Sequence, residues 1–267
     1  MTFRRNVFSD LASVFVPMSI LAGFIALWEV AMAVLQPPHY LLPSPHDILA
    51  TWLSNYTLFL QYGFNTARNA VVGATLGGAA AVICGAVLAP AKWVARPAMA
   101  YAAMVQATPL IVLTPLATVW LGDGNGSKVF VVAVASFPIM FAATVRGLEL
   151  TPPRLEALMA SYAATRIQVF LKVRLPAALP AILSGLKVTL SSAMIIAIVA
   201  ELFGGSIDSL GTYMHQEALF YHTSNVWAAA LTAVLYGLVL YSLAALAERT
   251  WLYWHPSVRA RGAQSVK

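Results

Sequence analysis

Charge is scarce in this chain. Asp, Glu, Lys and Arg make up 10% of its 267 residues, whereas a soluble domain carries about 25%. Hydrophobic residues make up 60% and mean hydropathy is +0.76. Such a chain cannot cover its surface with polar groups, which excludes a soluble globular protein. Cysteine is represented by Cys84 alone, which excludes a disulfide framework and a thiolate metal site. There is no GxxxxGK[ST] phosphate loop, so any ATP energy must come from another chain. No convergent acid, base or metal cluster marks a membrane-embedded enzyme. No internal repeat marks the inverted halves typical of gradient-driven transporters. His215 and His222, seven residues apart, are the nearest approach to a metal pair and lie in a short external stretch.

What remains is long apolar runs. They are too long and continuous for barrel strands, and the chain has room for five or six helices of about 20 residues. The reading is an all-α integral membrane protein, one transmembrane domain over residues 1–267. Six spans are expected at roughly 11–35, 66–90, 98–121, 128–147, 177–203 and 226–247. Arg4 and Arg5 followed by an apolar run could open a signal peptide. The run of about 25 residues exceeds the 7–15 of a signal core, so a retained helix is expected. Residues 36–64, with QPPHYLLPSPHD, read as a proline-broken loop, and residues 148–176 as a basic one.

Basic residues set the orientation. With the N-terminus inside, the cytoplasmic side receives Arg4, Arg5, Lys92, Arg96, Arg146, Arg154, Arg166, Lys172, Arg174, Lys187, Arg249, Arg259, Arg261 and Lys267. The outer side receives only Arg68 and Lys128. This positive-inside split places both termini in the cytoplasm. It also accounts for the net charge of +6 without nucleic acid. The outer loops carry His39, His46, Asp47, Asp208, His215, Glu217 and His222.

Within the spans, Gly73, Gly77, Ala81 and Gly85 recur at every fourth position, with Gly78 beside them. Such a stripe lets another helix approach closely or lines a pore. Pro109, Pro115 and Pro138 should bend their helices. Glu29 and Glu201 fall near outer span ends, where pairing with a neighbour such as Arg68 competes with a functional role. Lys187 can snorkel to the cytoplasmic interface. Gln106, Thr108, Ser136, Met140, Ser191, Ser192 and Glu201 are candidates to line a pathway, though the hydroxyls and amides could equally bond to neighbouring backbone.

The basic loop is the most informative stretch. Pro152 and Pro153 stop one helix and can open another. Leu155, Leu158, Met159 and Tyr162 then recur on one helical face. Such a helix either lies on the bilayer surface or fits a groove in a partner protein. The segment resembles the EAA loop of ABC importer permeases, which ends in Leu-Pro, here Leu175-Pro176, followed by Gly-Leu-Lys, here Gly185-Leu186-Lys187. Counting back from Pro176 puts the motif's glycine at Ala163 and its glutamate at Ala157. Counting forward from Glu156-Ala157 puts the glycine at Tyr162. The Leu-Pro register is preferred because it keeps a small residue at the tight turn.

The resemblance covers nearly the whole chain. Leu42-Pro43-Ser44-Pro45 is similar to the nitrate, sulfonate and taurine branch, as are Ala107-Thr108-Pro109-Leu110 to Pro115-Leu116 and Trp120-Leu121-Gly122-Asp123-Gly124. Ser136-Phe137-Pro138-Ile139 and Val199-Ala200-Glu201 also fit, and LMASYAATRIQVF looks like members associated with thiamine-precursor pyrimidines or riboflavin. It implies a type I importer permease fold in a bacterial inner membrane. It implies ABC ATPase subunits that bind ATP and Mg, an extracytoplasmic binding protein, and a second permease chain, most simply a homodimer partner, within the lipid bilayer. The ATPase would dock on Leu155, Glu156, Ala157, Met159, Tyr162, Ala163, Ala164, Leu175 and Pro176. This chain would hold no cofactor and no catalytic residue. A gradient-driven secondary transporter is the alternative.

Overall fold

A computed structural model describes residues 7–38 and 40–252; Arg4, Arg5, His39, Arg259, Arg261 and Lys267 lie outside them. The described residues form helices and connecting turns. The helices are α1 (Val7–Leu35), α2 (Pro45–Ser54), α3 (Tyr56–Leu88), α4 (Lys92–Ala107), α5 (Leu110–Leu121), α6 (Asn125–Glu149), α7 (Pro153–Ser161), α8 (Arg166–Val169), α9 (Leu175–Gly204), α10 (Leu210–Leu219) and α11 (Thr223–Trp251). A π turn, Phe170–Arg174, joins α8 to α9, so one helical segment runs from Arg166 to Gly204.

The largest differences from expectation lie at three places. The stretch 36–64 is no simple loop. Ser44 caps α2, its hydroxyl accepting from the Asp47 amide at 3.0 Å while the Asp47 carboxylate accepts from the Ser44 amide. Pro45 sits in the first turn of α2, where its missing N–H costs nothing. The helix expected at 66 begins ten residues earlier, and its 33 residues extend roughly 50 Å, beyond a hydrocarbon core of about 30 Å. The helix expected at 177 begins at Arg166. Of the prolines in the described spans, only Pro109 breaks its span: α4 and α5 meet at 88° across Thr108-Pro109. Pro115 and Pro138 lie inside uninterrupted helices.

The small-residue stripe is a packing surface. A Cβ added at Gly73 would lie 2.7 Å from the Val129 carbonyl oxygen, one at Gly77 2.1 Å from that of Ala133, and one at Gly85 2.8 Å from the Thr144 side chain. Contacts advance along α3 and α6 together, so these helices are parallel. The end of α3 and the start of α6 therefore lie at opposite ends of the bundle, and α4 with α5 must carry the chain across between them. The broken pair is one crossing, which gives six among the described residues. Against α9, Gly147 of α6 meets Ala178 and Ala181, while Gly185 meets Ala143, an antiparallel pairing.

Helix α1 stands apart. None of its apolar stretch Phe15–Leu35 is buried, and Trp28 meets Trp227 of α11 edge to face at 5.2 Å. One end of the bundle carries α2, α10 and the starts of α3, α6 and α11. The other carries α7, α8, the π turn and the start of α9.

Candidate functional site

The end bearing α7 holds most of the described basic residues. Pro152 and Pro153 open α7, and Tyr162 closes it. The backbone then turns left-handed at Ala163, with φ +51°. The Ala163 amide donates to the Ala160 carbonyl at 3.0 Å and the Ala164 amide to that of Met159 at 3.1 Å, the paired bonds of a Schellman cap. Glycine is the usual residue there, because an L side chain in this region costs about 1–2 kcal/mol. The left-handed position is thus Ala163, reached by counting back from Leu175-Pro176, and not Tyr162, whose φ is −88°.

No residue of α7 is buried. Leu155, Ala157, Leu158, Tyr162 and Ala163 are exposed, whereas Glu156, Met159, Ala164, Leu175 and Pro176 are half-buried. Tyr162 is 75% exposed. Glu156 turns inward, its carboxylate 2.8 Å from Arg174 Nε at the end of the π turn. Thr165 and Gln168 form a reciprocal capping box that restarts the chain as α8. Pro176 has no N–H to donate, and the π turn lies immediately before it. Leu175-Pro176 therefore sits inside a continuous helix rather than at the mouth of a loop.

Ionisable groups in the spans are paired internally. Lys187 does not snorkel: it forms an ion pair with Glu248 of α11, whose other oxygen accepts from Ser184 Oγ at 3.2 Å. Sequence reasoning passed over Glu248 because it lies one residue beyond the expected end of the last span. A lysine two turns inside a span was the signal to seek its partner. Glu201 is wholly buried. It accepts from Thr66 Oγ1 at 2.8 Å, Asn69 Nδ2 at 3.2 Å and the Gly211 amide at 3.2 Å. Among the described residues neither it nor Glu29 pairs with Arg68; Glu29 instead accepts from the His46 amide at 3.3 Å. Lys128 is also buried. Its ammonium donates to the Asp123 carbonyl at 2.9 Å and the Gly204 carbonyl at 2.8 Å, at the C-terminal end of α9, where a cation is favoured. On α10, burial pushes the Tyr213 phenol up to about 12, helped by the Glu217 charge and by Tyr62.

The pathway candidates separate by burial. Ser136 and Met140 join Glu201 in the interior, Met140 beside Gly78 and Gly185. Gln106 and Thr108 are exposed at the α4–α5 break, and Ser191 and Ser192 are half-buried on α9.

The family described as binding-protein-dependent transport system inner membrane component matches residues 77–252. A Haemophilus influenzae protein named ABC transporter permease protein is 30% identical over 226 residues, 84% of this chain and 91% of its own length. The aliphatic sulfonates transport permease SsuC of Escherichia coli is 28% identical over 249 residues, 92% of this chain and 94% of its own. The riboflavin transport system permease RibX of Chloroflexus aurantiacus is 29% identical over 235 residues, 87% of each. Among solved structures, a chain of the inward-facing MetNI methionine ABC transporter superposes with a TM-score of 0.64 at 19% identity, covering 74% of this chain and 98% of that one.

Proposed function

The chain belongs to the binding-protein-dependent transport system inner membrane component family, the membrane-spanning permeases of ABC importers, and from that premise we propose how it divides the work with its partners. ABC ATPase subunits dock on α7 and hydrolyse ATP, with Mg, outside this chain. An extracytoplasmic binding protein delivers solute to the opposite end. A second copy of the permease completes the pathway, which includes the exposed Gln106 and Thr108 at the α4–α5 break. Both chain termini and α7 face the cytoplasm of a bacterial inner membrane.

One observation carries this reading. Leu155, Leu158 and Tyr162 present apolar surface on a helix that has no buried residue, held in place by the cap at Ala163 and the bond to Arg174. Apolar side chains displayed at a charge-rich end call for a covering partner, and helix-in-groove docking supplies one. ATP-driven movement of α7 then shifts the bundle between two arrangements.

The cargo in this proposal is a small organic solute, of the thiamine-precursor pyrimidine, riboflavin or sulfonate class. The polar groups exposed at the α4–α5 break are neutral, which suits release rather than tight holding, so affinity resides in the binding protein. The Lys187–Glu248 pair is a feature that a gradient-driven transporter would share. Reconstitution into liposomes with the ATPase, with and without the binding protein, separates the two. Uptake that requires both ATP and the binding protein supports the importer. Saturable uptake by the permease alone overturns it.

A further inference from the structure

The acidic residue of the docking helix is displaced by one position from where the Leu-Pro register expects it, and the displacement changes what it touches. Ala157, the expected place, is exposed. Glu156 lies one residue earlier, about 100° around the helix, and its carboxylate meets Arg174 at 2.8 Å. Among the described residues this is the only side-chain bond from α7 to another element. An open cleft of about 490 Å³ lies beside α7, lined by Pro90, Ala160, Ala164 and Phe170 as well as by the ion pair itself. The helix is therefore tethered at its ends and at one point between, not packed down.

The far end of that tether is placed to matter. Arg174 is the last residue of the π turn, and Leu175 follows as the first residue of α9. π turns are rare insertions, concentrated at functional sites, where an extra residue loosens the helical ladder. Its last bond, Leu175 N–H to the Phe170 carbonyl, spans five residues rather than four. Beyond it α9 runs unbroken to Glu201 and Gly204 at the opposite end.

We propose that Glu156 is a positioning residue. Through Arg174 it fixes the docking helix to the root of α9, so that a displacement of α7 reaches α9 at the π turn instead of being absorbed in the 162–165 turn. This rests on the reading of α7 as the ATPase-docking helix, and it assigns the acid of the motif to an intramolecular bond, not to contact with the ATPase.

The test uses the full transporter in liposomes and measures solute imported per ATP hydrolysed, alongside the amount of ATPase that co-purifies. E156Q and R174Q should retain a full complement of ATPase and hydrolyse ATP, yet import about two- to fivefold less solute per ATP, in keeping with one partly exposed ion pair. Moving the acid outward, E156A with A157E, should give the same deficit. The charge exchange E156R with R174E should recover most of the ratio. An unchanged ratio in E156Q overturns the proposal, as does failure of the exchange to recover beyond either single variant. Loss of ATPase from the E156Q complex assigns Glu156 to docking and also overturns it. If instead the wild-type complex shows no ATP-dependent import, it is the importer reading that has failed.

Discussion

Lys187 on α9 and Glu248 on α11 form an ion pair inside the bundle, with Ser184 donating to the carboxylate oxygen that Lys187 does not hold. The two side chains are only 14% and 12% exposed. Removing one partner leaves the other charged and poorly solvated, which typically costs about 3–5 kcal/mol, whereas replacing both with apolar groups of similar volume is often neutral. Lys187→Met should therefore lower the thermal unfolding midpoint of the detergent-purified chain sharply. Lys187→Met with Glu248→Leu should recover most of the loss. Equal loss in the single and double variants would show that the pair itself, rather than an orphaned charge, is what the bundle needs.

The cap at Ala163 gives a prediction of opposite sign. An alanine held at φ +51° is strained, and glycine relieves that strain by about 1 kcal/mol. Ala163→Gly should slow amide exchange at Ala163 and Ala164, the two donors of the cap. Ala163→Val, β-branched at the same φ, should accelerate it. Ala163→Asp adds a charge at the exposed turn beside the proposed docking face and should reduce co-purified ATPase while the chain still inserts in the membrane. Faster exchange in the glycine variant than in the parent would contradict the strain assignment.

Helix contact in the stripe is tested by a matched pair. A Cβ at Gly77 would fall 2.1 Å from a backbone oxygen of α6, which cannot swing away, whereas one at Gly23 meets nothing within 4 Å. Gly77→Ala should destabilise by about 1–3 kcal/mol as an overpacked contact. Gly23→Ala should be neutral or slightly stabilising, through helix propensity. Gly78→Ala, with Met140 Cγ at 3.5 Å, should fall between them. Thermal melts of the three variants in one detergent rank them directly.

Span number, the exposed amphipathic helix α7 and the packing stripe were legible in the sequence because each rests on local pattern. Hydropathy marks a span wherever the chain crosses lipid, and every-fourth-residue spacing marks a face. What was not legible depended on partners distant in sequence. The buried network around Glu201 was hidden because its two side-chain donors, Thr66 and Asn69, lie more than 130 positions away. Lys187 looked free to snorkel because its partner lies 61 positions on. The early start of the helix at Arg166 was hidden by Pro176, which usually signals a helix start. Here a π turn precedes it and the helix continues through. Likewise Pro109 breaks its span while Pro138 does not, and the sequence offers no local difference that separates the two.

The parallel packing of α3 and α6 fixes which segments share an end of the bundle, and in the topology we propose the excess of basic residues puts the α7 end inside. Single cysteines in a Cys84→Ala background test both together. Ser127 and Ser209 lie at the α2-bearing end but are buried at 1% exposure, so cysteines there would stay silent whatever the topology. Gly126 and Ile207 are their exposed neighbours, Ile207 at 89%, and Ser161 is exposed at the α7 end. Gly126→Cys and Ile207→Cys should react with an impermeant thiol reagent on intact cells. Ser161→Cys should react only after permeabilisation. Because α4 and α5 together make one crossing, Pro90→Cys and Gly122→Cys, on either side of that pair, should label from opposite faces. Labelling of both from the same face would make the pair a re-entrant hairpin and reduce the crossings to five.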